Sequence, residues 1–217
     1  MSITARTPEA AYSADADNLT CNVPAGTTDG DLMFALVMLY NSTILTATGW
    51  TLVVSNITNS DKYYLYRRIA SSEPADYNFT FSLARQCRMA ISSFVVSDMI
   101  SSDPIASASA TNYRVENTIG AGTIFPPHMN MPIFAFSCVH DTPGVGVAAP
   151  SGWTEVYDAG DGNASFFWLN IGYTSAYGEC GSFTLTWNMI SDGRTSKQGI
   201  LAVVNTPKTN PGSVMMF

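Results

Sequence analysis

The stretch NFTFSL, Asn78 to Leu83, decides the fold. Phe79, Phe81 and Leu83 alternate with Asn78, Thr80 and Ser82. That period of two belongs to a strand with one face buried and one wet. SFTLTWNM, Ser182 to Met189, repeats the pattern with Phe183, Leu185, Trp187 and Met189 on one face. LMFALVML, Leu32 to Leu39, is apolar on both faces and suits a central strand covered on both sides, with a short buried helix as the alternative that periodicity alone leaves open. Turn formers separate such segments: PAGTTDGD, TNSDK, SSEPAD, DAGDGN and SDGRTS. No window of twelve or more residues keeps a helical stripe with caps. Short strands between Gly- and Pro-rich turns predict an all-β chain, an antiparallel β-sandwich of jelly-roll-like form, with very little helix.

The strands also come twice. GWTLV at Gly49–Val53 returns as GWTEV at Gly152–Val156, 103 residues later. At the same spacing YYLYRRI (Tyr63–Ile69) meets FFWLNIG (Phe166–Gly172). Phe79–Phe81 meets Phe183–Leu185 at 104, Ile91–Val96 meets Ile200–Asn205 at 109, and Leu32–Leu39 meets Pro132–Val139 at 100. Five segments in one order imply an internal duplication. The expectation is one sandwich domain over 1–217, built from related halves at about 1–100 and 101–217. The first half should hold strands at Asn18–Val23, Asp31–Tyr40, Trp50–Ile57, Tyr63–Ala70, Tyr77–Leu83 and Met89–Ser97. Trp50 should match Trp153, and Phe79 should match Phe183. The connecting ASATNYRVE is a further strand candidate.

Hydrophobic residues make up 46% of the chain and charged residues 12%, which is material for a core and too little charge for disorder. The formal charge is −7, with lysine only at positions 62, 197 and 208, so phosphate neutralisation is excluded as a general mode and no nucleic acid is expected. The N-terminus lacks an apolar signal core, and the longest apolar run, Leu32–Tyr40, is too short to cross a bilayer as a helix. A soluble chain that does not enter a membrane is expected.

Catalytic signals are weak. His128, in PPHMNMP, and His140, in CVHDTPG, are the only histidines, and neither stands near a nucleophile motif. Two histidines without H-E-x-x-H do not make a zinc site. Glu9, Glu73, Glu116, Glu155 and Glu179 include no pair that sequence alone brings together for glycoside hydrolysis. DAGDGN offers oxygen ligands at Asp158, Asp161 and Asn163, but lacks the spacing of a calcium loop and suits a tight turn better. Cys21, Cys87, Cys138 and Cys180 have no C-x-x-C spacing, and Cys138 lies in an apolar run as a small buried residue. No catalytic residue, metal or cofactor is expected.

Contact with a partner is the better use of this composition, because interfaces favour Tyr, Trp, Phe and Met over Lys and Glu. Tyr64 and Tyr66 share a strand face opposite Tyr63 and Leu65, so either both faces are covered or one meets a partner. The terminal Val214, Met215, Met216 and Phe217 form an apolar end to be buried on the chain itself or on a neighbour.

VPAGTTDGDLMFALVML, then GWTLV, then YLYRRIASSEPADYNFTFS, then AISSFVV resembles a set of tailed-bacteriophage virion proteins. The resemblance covers about Val23 to Val96, and the second half follows more loosely through APSGWTEV and GSFTLTW. MNMPI stands where the first half has DGDLM, so the second leading turn is expected to differ. The resemblance implies a non-enzymatic structural component of a virion and carries no catalytic residues. Without fibre-like heptads or G-x-y repeats, the chain reads as a capsid decoration (cement) protein that binds other virion subunits and copies of itself. The alternative is a tail-fibre or spike module that binds a cell-surface glycan.

Overall fold

The structure, a computed structural model, describes residues 2–57, 60–113, 118–120, 123–128, 130–140, 147–148, 151–160, 167–177, 186–189 and 197–207. No helix occurs among them. The first half contributes β1 (Ile3–Ala5), β2 (Glu9–Asn22), β3 (Leu32–Tyr40), β4 (Ile44–Thr46), β5 (Thr51–Asn56), β6 (Asp61–Ile69) and β7 (Asp76–Val96). The second contributes β8 (Ile105–Tyr113), β9 (Thr118–Gly120), β10 (Met131–His140), β11 (Val147–Ala148), β12 (Thr154–Gly160), β13 (Phe167–Tyr177), β14 (Thr186–Met189) and β15 (Lys197–Val204). The result is an antiparallel β-sandwich.

One sheet runs β1-β7-β3-β6-β5, with β2 and β4 also paired to β7. The other runs β12-β13-β10-β15-β8. Even-numbered residues of β3 and β10 face one shared core, in which Leu32, Phe34, Leu36 and Met38 meet Phe134, Phe136 and Cys138. Both halves therefore bury apolar surface against each other.

Odd-numbered residues of β3 face a second core. There the sheet curls onto itself. β2 and β7 pair along most of their length, but their register slips around Ala16, where Arg85 and then Thr80 face β2 residues two apart. Such irregularities bend a ribbon sharply. The bend carries Leu19, Cys21, Phe79 and Phe81 over Met33, Val37, Tyr64 and Tyr66. β3 is thus covered on both faces, as its continuous apolar sequence predicts. Tyr77–Leu83 and Met89–Ser97, expected as two strands, run as one, because the bend needs no break in the chain. In the second half the described parts of the corresponding segment are β14 and β15, and β14 joins β9 and β11 in a three-stranded sheet.

The ladders repeat pair for pair. Leu36 pairs Leu65 as Phe136 pairs Ile171, offsets of 100 and 106 residues. Phe34 pairs Ser92 as Phe134 pairs Ala202, the latter two 110 apart. Thr51 pairs Arg67 as Thr154 pairs Tyr173, and both edge strands slip register two residues later, at Leu52/Val54 and Glu155/Tyr157. Ile44 pairs Phe81 as Val147 pairs Met189. Trp50 therefore corresponds to Trp153, as expected. The β6/β13 offset of 103 and the β7/β15 offset of 109 are corrected to 106 and 110. Each slip was odd, and an odd slip turns every side chain to the wrong face. Phe183 lies outside the described residues. Leu19 pairs Phe79 as Ile119 pairs Trp187, so the counterpart of Phe79 is Trp187.

Candidate functional site

The residues that carry the resemblance form two locks. In the first, the turn before β3 puts Gly30 at φ 93°, a left-handed conformation that suits glycine. Asp31 is then buried. Its carboxylate accepts from the Thr28 amide at 3.1 Å, the Thr28 hydroxyl at 3.2 Å, the Ser93 hydroxyl at 3.3 Å and Arg6 Nε at 3.3 Å. A buried carboxylate needs such partners. In the second half Asn130 takes the same conformation at φ 63°, and the residue after it is the fully buried Met131. The position of Asp31 is thus held there by an apolar side chain, and its carboxylate lock has no counterpart.

The second lock joins the GWT turn to the β6–β7 connection. Arg68 Nε lies 2.8 Å from Glu73 Oε1 and 3.0 Å from Oε2, and another guanidinium nitrogen donates to the Gly49 carbonyl at 2.9 Å. The Ser71 amide donates to Glu73 at 2.7 Å, and the Tyr77 hydroxyl donates to its other oxygen. Arg68 also lies over the Tyr77 ring, which meets Trp50 edge-on at 5.2 Å. Burial alone would raise the Glu73 carboxyl, but Tyr77, Ser71 and Arg68 outweigh it and hold the group below its ordinary range. Burial, followed by the hydrogen bond to Glu73, pushes Tyr77 upward. These groups are committed to one another, so the arrangement positions backbone and offers no free nucleophile or base.

A third polar group lies between the sheets. On the shared-core face, Tyr12, Arg88, Met38 and Tyr63 stand side by side across four strands, with Tyr40 opposite Asp61 beyond them. Arg88 and Asp61 are buried, and Arg88 donates to the Tyr157 hydroxyl of the facing sheet at 2.9 Å. The corresponding row of the second half is Asn112, Gln198, Cys138 and Leu169. The shared core thus changes from phenylalanine at one end to a polar seam at the other. Chemically this seam can fix how the sheets lie on each other, since a buried guanidinium tolerates few alternative arrangements. Sequence reasoning missed it because its members come from four strands of one half and one of the other. The signal available was Arg88 inside an otherwise apolar run.

Tyr64 and Tyr66, offered above as partner-contact residues, are buried in the second core with their rings stacked at 6.3 Å. Burial raises both hydroxyls, Tyr66 to about 12. Tyr63 and Leu65 are buried in the shared core, so of the two alternatives the structure has both faces of this strand covered. Val214, Met215, Met216 and Phe217 lie outside the described residues, as do Asp161, Asn163 and Cys180. His128 donates through Nε2 to the Thr206 carbonyl at 2.8 Å, and His140 pairs with Phe167 at the end of β10. Cys21, Cys87 and Cys138 are buried free thiols. Among the described residues no group of three or more His, Cys, Asp or Glu is placed to hold a metal ion. Comparison of the chain with family models, curated proteins and solved structures gave no match.

Proposed function

We propose that this chain is a non-enzymatic structural protein of a tailed-bacteriophage particle, a capsid decoration protein that acts by assembly with other virion subunits and with copies of itself. The observation that carries the reading is the Val23–Val96 motif set, which resembles virion proteins and whose polar members serve as fold locks: Asp31, Arg68, Glu73 and Tyr77. The surface supports it. Leu45, Leu52, Ile57, Leu83, Val95 and Phe125 are exposed on a chain poor in charge, and such surface loses little on leaving water. The terminal Val214–Phe217 is a second contact element under this reading.

The test is localisation of the chain in a particle reconstruction. Density on the outer capsid surface is expected. Density at the tail tip, together with retention on a glycan array, would replace this reading with the fibre-module alternative. Particles lacking the protein should take it up when it is added back, and a chain cut before Asn210 should fold but fail to incorporate.

A further inference from the structure

The duplication supplies an internal control for packing. On its second-core face the first half carries a row across five strands: Ser55, Tyr64, Val37, Met89 and Ala11. The repeated ladders put Asp158, Asn170, Ser137, Gly199 and Thr111 at the same places of the second half. A tyrosine, a valine and a methionine have given way to an asparagine, a serine and a glycine. The neighbouring row changes as well, with Gly172 where the first half has Tyr66. There the Thr154 carbonyl would lie 3.3 Å from an added Cβ, so the β12 backbone walls that side.

Ser137 is the informative member. Phe136 and Cys138 on either side of it face the shared core, so Ser137 faces the other way. It is 1% exposed, and its hydroxyl has no hydrogen-bond partner among the described residues. Gly199, its neighbour on β15, is buried, has no left-handed backbone to require glycine, and sits in ladders that are regular on both sides. Buried hydroxyls are ordinarily paired, and a glycine inside a strand, away from a bulge, marks a close approach by a ligand or by another backbone. The β9–β14–β11 sheet flanks the row, with β9 against β8 and β15 and β11 against β12.

We propose that this row is a binding site for a small neutral polyol, a single sugar ring, taken up between the β12–β13–β10–β15–β8 sheet and the β9–β14–β11 sheet. The residue types decide the class. One carboxylate, one amide and two hydroxyls stand in line across the sheet, and sugar hydroxyls both donate and accept, so each of these groups can be met. Asp158 is the only charged member, which disfavours an anion. Neighbouring strands lie about 4.8 Å apart, so a ring seated at Ser137 over Gly199 reaches the residues of the flanking strands. The first half has no such site, because Tyr64 and Met89 are packed into its row. The site does not rest on the virion reading, since a sugar site fits a head or a tail component alike, and either can fail alone.

The experiment is ligand-observed NMR of the full chain with glucose, galactose and N-acetylglucosamine, each at up to about 100 mM, beside thermal melts of every variant. At least one of the three should bind with a dissociation constant of about 1–10 mM. Ser137→Ala should weaken that binding about fivefold, the loss of one hydrogen bond. Gly199→Met, which installs the first-half residue, should abolish binding and keep the native melt. A native chain that binds none of the three sugars would overturn the proposal. So would binding that both variants leave unchanged, which would put the sugar elsewhere. A Gly199→Met chain that melts more than about 5 °C lower would show that another part of the chain already fills the space, and would overturn it too.

Discussion

Phe34 and Phe134 occupy the same position in the two halves, and they touch, with ring centroids 5.2 Å apart. Equivalent residues touch across the shared core, so each half presents the same face of its central strand to the other. Phe94 packs on Phe134 at 4.6 Å, and Phe136 packs on Phe34 at 5.1 Å, which ties both sheets into one aromatic cluster. Truncating Phe34 or Phe134 to Ala should cost about 3–5 kcal/mol. Because the core is shared, amide-exchange protection in β3 and β10 should fall together. Loss confined to the half that carries the substitution would show that the halves are stabilised independently.

Gly49 and Gly152 form a second matched pair, at φ 81° and 83° before Trp50 and Trp153. Their surroundings differ. A side chain at Gly49 would run into the Arg68 guanidinium, whereas no atom of the described residues lies within 4 Å of the same position at Gly152. Gly152→Ala should cost only the left-handed backbone penalty, about 1–2 kcal/mol. Gly49→Ala should cost clearly more, because it also displaces Arg68 from Glu73. Equal losses in urea titrations would show that the Arg68 lock yields without cost.

The Glu73 carboxyl is held below its ordinary range, which sets the sign of a pH effect. A group depressed in the folded state contributes stability above its unfolded value near 4.5, and that stability is lost as pH falls through the folded value. Glu73→Gln should lower stability by about 2–3 kcal/mol at neutral pH and flatten the acid limb of the profile. An unchanged acid limb would mean that other carboxylates govern it.

The thiols titrate high. Burial, more than any neighbouring charge, raises Cys21 to about 12 and Cys87 to about 11, and raises Cys138 as well. The reactive thiolate is therefore scarce at pH 8. Cys21, Cys87 and Cys138 should resist a disulfide reagent in the native chain and react together on unfolding in urea. Fast labelling of any of them would show that its core opens locally.

Several elements were legible before any coordinates. Alternation in NFTFSL, and in the Thr186–Met189 end of SFTLTWNM, identified strands, since period two is a local property of the backbone. The two-sided apolarity of Leu32–Leu39 identified a strand covered on both faces. GWTLV and GWTEV located matched turns, because a left-handed glycine before a tryptophan is written in consecutive residues. Cys138 was recognisable as a buried thiol from its apolar neighbours.

The polar seam was not legible, because Tyr12, Asp61, Arg88 and Tyr157 are distant in the chain and meet only once strands are paired. The covered state of Tyr64 and Tyr66 was not legible either, since it depends on β7 bending over them.

By itself the sequence determined that this is an all-β chain made twice, with few charges and with turn residues at matched positions. Tertiary structure alone decided the register. Alternating residues remain equally satisfied when a strand slides, so similarity at offsets of 103 and 109 was as good along the chain as the true 106 and 110. Only the demand that Leu65 and Ile171, or Phe94 and Val204, face one common core excludes the odd slips. The same demand decided which faces are inside, and so left Leu45, Leu52 and Ile57 on the outside.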